Sequence, residues 1–212
     1  MKHQILCFGD SNTFGYSADP AECADGGHRF NEDERWTCLL GKRLGAGYHV
    51  IEGGLSGRTT VFSDPLHESM DAISCAYATL MSHEPLDLLI IMLGTNDTKE
   101  RFAANAAAIA VGMERLLKKC KSVECWGGKQ PNILVVCPPP IGEPFHDEVM
   151  GEGCIEKSRA LPPYLKAVAE RNGAHFFDAK DCAFNTVDFM HLSRKGHEQL
   201  ADALAALVPT LL

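Results

Sequence analysis

The 212-residue chain reads as a three-layer α/β/α sandwich built on a five-stranded parallel sheet. Three observations predict it. Short apolar runs at Ile5–Phe8, Tyr48–Glu52, Leu86–Leu93, Ile133–Cys137 and His175–Phe177 alternate with stretches whose apolar residues recur at helical spacing. The run Leu86–Leu93 lacks polar alternation, as expected of a strand covered on both faces. Polar clusters follow most of these strands, at the carboxyl edge where open parallel sheets bind ligands.

The first strand is cut off by Gly9-Asp10-Ser11, a turn that lifts Ser11 out of the sheet. A polar, glycine-rich loop follows from Ser17 to Glu34, and Trp36, Leu39, Leu40 and Leu44 then mark a helix stopped by Gly45 and Gly47. Beyond the second strand, Gly53-Gly54-Leu55-Ser56-Gly57-Arg58 forms a glycine-rich loop that can expose backbone amides beside Ser11. Met70, Ile73, Tyr77, Leu80 and Met81 outline the next helix, and the third strand runs into Gly94-Thr95-Asn96-Asp97. Another helix carries Phe102 to Leu117 and ends in Lys118, Lys119 and Lys121, where cations favour the helix dipole. The fourth strand meets Pro138-Pro139-Pro140, and Ile141–Gly153 is a second long loop. Pro162-Pro163 is expected to open a helix reaching Gly173. After the fifth strand a loop leads through Asp188 to His191, and Ser193 is placed to cap the final helix.

Composition bounds the rest. A 45% hydrophobic and 23% charged chain with no internal repeats is expected to be one domain, residues 1–212. No apolar run has membrane-spanning length, and a net charge of −8 opposes binding to nucleic acid. The first residues pass straight into a strand, so no cleavable signal peptide is expected and the cytoplasm is the expected compartment. Nine scattered cysteines, without a Cys-x-x-Cys pair, suggest free thiols rather than a disulfide or zinc framework.

A nucleophilic serine needs a base, an acid that holds the base in one tautomer, and donors for the oxyanion. The chain supplies each: Ser11, then Asp188 and His191 three residues apart on one loop, with Gly57 and Asn96 as sources of donors. Either Asp188 or His191 alone would pass for a loop-stabilising residue. Asp10 and Asp97 are expected to hold turns by accepting backbone hydrogen bonds.

Gly9-Asp10-Ser11, the glycine of Leu55-Ser56-Gly57-Arg58, Gly94-Thr95-Asn96-Asp97 and Asp188-x-x-His191, in this order, closely resemble the SGNH (GDSL-type) hydrolases. The strings Arg35-Trp36-Thr37, Gly54 to Thr60, Leu86 to Lys99, Pro138-Pro139-Pro140 and Phe176 to Ala179 are similar to the bacterial arylesterase and acyltransferase branch. The resemblance implies a flavodoxin-like sheet and a serine esterase for short-chain or aryl esters, working through an acyl-enzyme and able to transfer acyl groups. It makes Ser11 the nucleophile, His191 the general base, Asp188 its orienting acid, and Ser11, Gly57 and Asn96 the oxyanion hole. It implies no metal or cofactor, a small ester as partner, and a symmetric homo-oligomer. Phe14 and Tyr16 stand where that branch tends to have tryptophans and are expected to line the acyl pocket. Asn12 stands where the short motif usually has leucine, a difference expected to leave the mechanism untouched. Removal of acetyl groups from carbohydrates is the alternative activity, and a silent binding module is the alternative from another class.

Overall fold

In the computed structural model, which describes residues 2–212, five parallel strands form one sheet in the order β2-β1-β3-β4-β5. They are β1 (His3–Gly9), β2 (Tyr48–Gly54), β3 (Leu88–Met92), β4 (Ile133–Cys137) and β5 (His175–Asp178). Register runs straight across the centre, with Cys7 beside Ile90 and Ile90 beside Leu134. β1 is fully covered from Ile5 onward, and β3 and β4 are covered throughout, which is why these segments show no polar alternation.

Successive residues of a strand face opposite sides, and the two cores follow that alternation. Leu6, Phe8, Leu89, Ile91, Ile133 and Val135 pack against α3 (Ala72–Met81), α4 (Ala106–Lys121) and α5 (Cys154–Arg171). Ile5, Cys7, Leu88, Ile90, Leu134 and Val136 pack against α2 (Trp36–Leu44) and α6 (Arg194–Leu207). The result is the three-layer sandwich expected from the sequence. A four-residue helical turn, α1 (Ser11–Phe14), follows β1 directly.

The caps explain several helix starts. Asp71, Asn105 and Ser193 each accept a backbone N–H from the first turn of α3, α4 and α6. Lys118, Lys119 and Lys121 do occupy the last turn of α4. One expectation fails at α5: the helix begins at Cys154, and Pro162-Pro163 lie inside it. Two interior prolines remove two helix donors, but Cys154, Ser158, Leu161, Leu165 and Val168 form an unbroken buried stripe. Burial of that stripe outweighs the lost hydrogen bonds. Among the described residues, no helix is long and apolar enough to cross a membrane.

Candidate active site

The β1–α1 junction is built for a close turn. A Cβ at Gly9 would lie 2.0 Å from the Thr13 hydroxyl and 2.8 Å from the Met92 carbonyl, so only glycine lets the chain leave the sheet here. Asp10 is fully buried and caps α1 by accepting the N–H of Asn12 at 3.0 Å. Ser11 is therefore the first residue of a short helix at the carboxyl end of a central strand.

His191 reaches this point from the loop before α6. Its Nε2 lies 2.8 Å from Ser11 Oγ, and its Nδ1 lies 2.5 Å from Asp188 Oδ2. The carboxylate fixes the ring proton on Nδ1, leaving Nε2 as an acceptor for the serine hydroxyl. Asp188 Oδ1 accepts the N–H groups of Met190 and His191, which closes the Asp188–His191 turn. Burial alone would push the Asp188 carboxyl up, but the bond and charge of His191 and these two N–H groups hold it at about 2. Phe189, inside the turn, adopts φ +54 and places its side chain against Ile141, Phe145, Met150 and Cys154. A left-handed non-glycine residue costs about 1–2 kcal/mol. Here that cost anchors the turn to the loop before α5, reinforced by the Gly142 N–H donated to the Phe189 carbonyl at 2.8 Å.

The glycine loop after β2 turns at Leu55–Arg58, where Arg58 N–H bonds the Leu55 carbonyl and Gly57 takes φ +90. That is the glycine position of a tight turn. Neither the N–H of Ser11 nor that of Gly57 has an acceptor among the described residues. Asn96 is buried at the start of the turn after β3; its side-chain amide donates to the Arg58 carbonyl at 3.2 Å and, weakly, to Asp10 at 3.4 Å. Ser11, Gly57, Asn96 and His191 all line one cavity of about 520 Å³. A larger cavity, about 670 Å³, opens near His3, His49 and Trp126 at the amino-terminal ends of the strands and contains none of these groups.

Asp10 and Asp97 stand behind this constellation. Asp97 accepts both the N–H and the hydroxyl of Thr60, so both carboxyls hold turns. Burial pushes each up to about 6, only partly opposed by their hydrogen bonds.

The two aromatic residues separate. Tyr16 lines the cavity, with its ring centroid 4.6 Å from that of His191. Phe14 does not reach the cavity. Its ring lies under the Arg29 guanidinium at 4.0 Å, and Arg29 Nε also donates to the Phe14 carbonyl, so residues 14 and 29 hold each other outside the site.

Arg58 is a structural member of the site. Its buried guanidinium donates to the carbonyls of Gly9 and Gly53 and stacks over Phe8, tying the ends of β1 and β2 together. Nothing in the spacing marks it, because its partners are backbone carbonyls. Phe145, Val149, Met150, Val187 and Met190 line the same cavity as Lys99, Arg101 and His67. Most of these sit on loops without periodicity, so nothing in their spacing marks them.

Comparison with known proteins places the chain in a family. The model of the GDSL-like Lipase/Acylhydrolase family matches residues 7–199. The chain is 38% identical to the aryl esterase of M. smegmatis, covering 99% of this chain and 100% of that one with a TM-score of 0.89. It is 39% identical to a carbohydrate acetylesterase from Sinorhizobium meliloti, covering both chains completely, also with a TM-score of 0.89. An acetylxylan esterase from Xylanibacter ruminicola is 23% identical over 97% of this chain; the chain spans 43% of that relative's length. With the motifs, the sheet, the family model and the two solved structures matched over their whole length in agreement, the chain belongs to the GDSL-like lipase/acylhydrolase family and is a carboxylic ester hydrolase with the SGNH fold.

Proposed function

We propose that the enzyme is a serine esterase for short-chain or aryl carboxylic esters, with Ser11 as nucleophile, His191 as general base and acid, and Asp188 as the residue that orients His191. The observation that carries this reading is the unbroken chain Asp188 Oδ2, His191 Nδ1, His191 Nε2, Ser11 Oγ opening on a cavity.

Ser11 Oγ adds to the ester carbonyl carbon while its proton passes to His191 Nε2. The developing oxyanion takes hydrogen bonds from the N–H groups of Ser11 and Gly57 and from the Asn96 amide, three neutral donors from residues that line one cavity. Collapse expels the alcohol with the proton held by His191 and leaves an acyl-serine. Water, deprotonated by His191, then releases the acid and restores Ser11; an alcohol taking the water's place would give acyl transfer. None of these steps uses a metal or cofactor. Tyr16, beside His191, lines the pocket and is the aromatic residue proposed to contact the substrate.

Removal of acetyl groups from carbohydrates is the second reading, supported by the names of the Sinorhizobium and Xylanibacter relatives. Residues 1–212 act as a single domain in both readings, and we propose a homo-oligomer in the cytoplasm. The cytoplasm suits nine cysteines that are all free thiols. The deciding experiment is kcat/KM on acetyl, butyryl and octanoyl 4-nitrophenyl esters beside acetylated xylose. Higher values on the aryl esters support the first reading, and higher values on the sugar support the second. Absence of turnover on all of them overturns both.

A further inference from the structure

Asn12 links the two halves of the site. It follows Ser11 in α1, is 1% exposed, and its Oδ1 accepts the N–H of Leu192, the residue after His191, at 2.8 Å across 180 positions of sequence. Its own backbone carbonyl accepts the Trp36 indole N–H at 2.9 Å. Trp36, itself 1% exposed, is held in turn by its backbone N–H, which donates to Nδ1 of the buried His197 ring at 3.2 Å. Asn12 is thus fixed on one side by the helix layer and grips the acid–base loop on the other.

From these contacts we infer that Asn12 is a positioning residue: its side-chain carbonyl sets the distance between Ser11 and His191 by fixing the backbone beside each of them. The inference departs from the expectation that a residue other than leucine here leaves the mechanism untouched. A leucine has no acceptor, and the buried Leu192 N–H would lose its partner.

The geometry around His191 shows why a separate clamp matters. Asn185 holds the other side of the same turn, donating its amide to the His191 carbonyl at 3.0 Å and accepting the N–H groups of Val187 and Asp188. Those bonds shape the loop internally and contain no link to α1. Apart from the Ser11–His191 contact, which must break and re-form during turnover, the Asn12–Leu192 bond is the direct hydrogen bond that joins α1 to the His191 loop. A displacement of about 1 Å between nucleophile and base can cost about 10²-fold in rate.

The inference rests on the serine-esterase reading for its kinetic consequence, so the test includes a readout that needs no substrate. In Asn12→Leu, amide hydrogen exchange at Leu192 is expected to accelerate at least about tenfold as its acceptor is lost. On 4-nitrophenyl acetate, kcat is expected to fall about 10–100-fold with KM changed less than about threefold, the split expected when reacting groups rather than binding contacts move. Asn12→Asp keeps an acceptor oxygen in either protonation state and should restore kcat to within about tenfold of the parent. A folded Asn12→Leu protein with parental kcat, or with parental exchange at Leu192, overturns the inference. Should Asn12→Leu fail to fold, Asn12→Asp decides: slow exchange at Leu192 with most of kcat retained supports it, and kcat as low as that of Ser11→Ala with Leu192 still protected overturns it. A parent protein inactive on every ester, yet with Leu192 protection dependent on Asn12, would defeat the esterase reading and leave the clamp standing.

Discussion

His191 Nε2 and Ser11 Oγ stand 2.8 Å apart although 180 residues separate them in the chain. Ser11→Ala removes the hydroxyl from a turn whose backbone is held by Gly9 and Asp10. The variant should fold normally and lose turnover by about 10⁴-fold or more. Labelling by a fluorophosphonate should vanish with it. Near-parental turnover in the purified variant would remove Ser11 from the mechanism.

Asn96→Ala deletes one of three proposed oxyanion donors. The expected result is a fall in kcat of about 10²–10³-fold with little change in KM. If the loss appeared in KM alone, Asn96 would be a substrate-binding residue instead.

His197 makes the folded protein sensitive to acid. Burial, helped by the charges of His191 and Arg35, lowers its pKa from 6.5 to about 3, and its Nδ1 accepts the Trp36 N–H. Below pH 6.5 the unfolded chain binds a proton that the folded protein refuses, so this stabilising contribution is present above pH 6.5 and is lost as pH falls towards 3. Between pH 6.5 and 5 the loss is about 2 kcal/mol. Asn at 197 can present a carbonyl where Nδ1 lies, so urea unfolding of His197→Asn should show a weaker dependence on pH over this interval. An identical pH dependence in parent and variant would contradict the assignment.

The thiols and metals can be tested together. Burial raises the thiols of Cys120 to about 12 and Cys182 to about 11, and raises those of Cys7 and Cys137 as well. Thiolates are therefore scarce at neutral pH, and turnover should survive iodoacetamide, dithiothreitol and EDTA. Loss of activity in EDTA that returns on adding a metal ion would refute the metal-free mechanism.

Acyl length and assembly complete the set. The cavity is about 520 Å³ and is bordered by Tyr16 and the Phe145–Met150 loop, and the proposed substrate is an ester with a small acyl group rather than a long chain. Values of kcat/KM should peak at acetyl to butyryl and decline towards dodecanoyl; a continuous rise would mark a lipase-like enzyme. Light scattering should give a homo-oligomer, the assembly that the resemblance to the arylesterase branch implies. A monodisperse monomer would overturn that proposal.

Much of this was legible in the sequence because it is local. The strand at Ile133–Cys137 is bounded as its apolar run is, and α2 stops at Gly45 because glycine there takes φ +78. Ser11, Asn96, Asp188 and His191 are recognisable because each follows a strand, and a parallel sheet collects such residues at one edge. Other features depend on partners far away in the chain. The order β2-β1-β3-β4-β5 comes from packing helices on two faces, and α5 runs through two prolines because its buried stripe pays for them. Phe14 turns from the cavity because Arg29 holds it. Asn12 acquires its part from Leu192, 180 residues on. Local propensity and motif spacing determined which residues could do chemistry; long-range burial and hydrogen bonding decided which of them meet, since those energies exist only once distant segments are packed together.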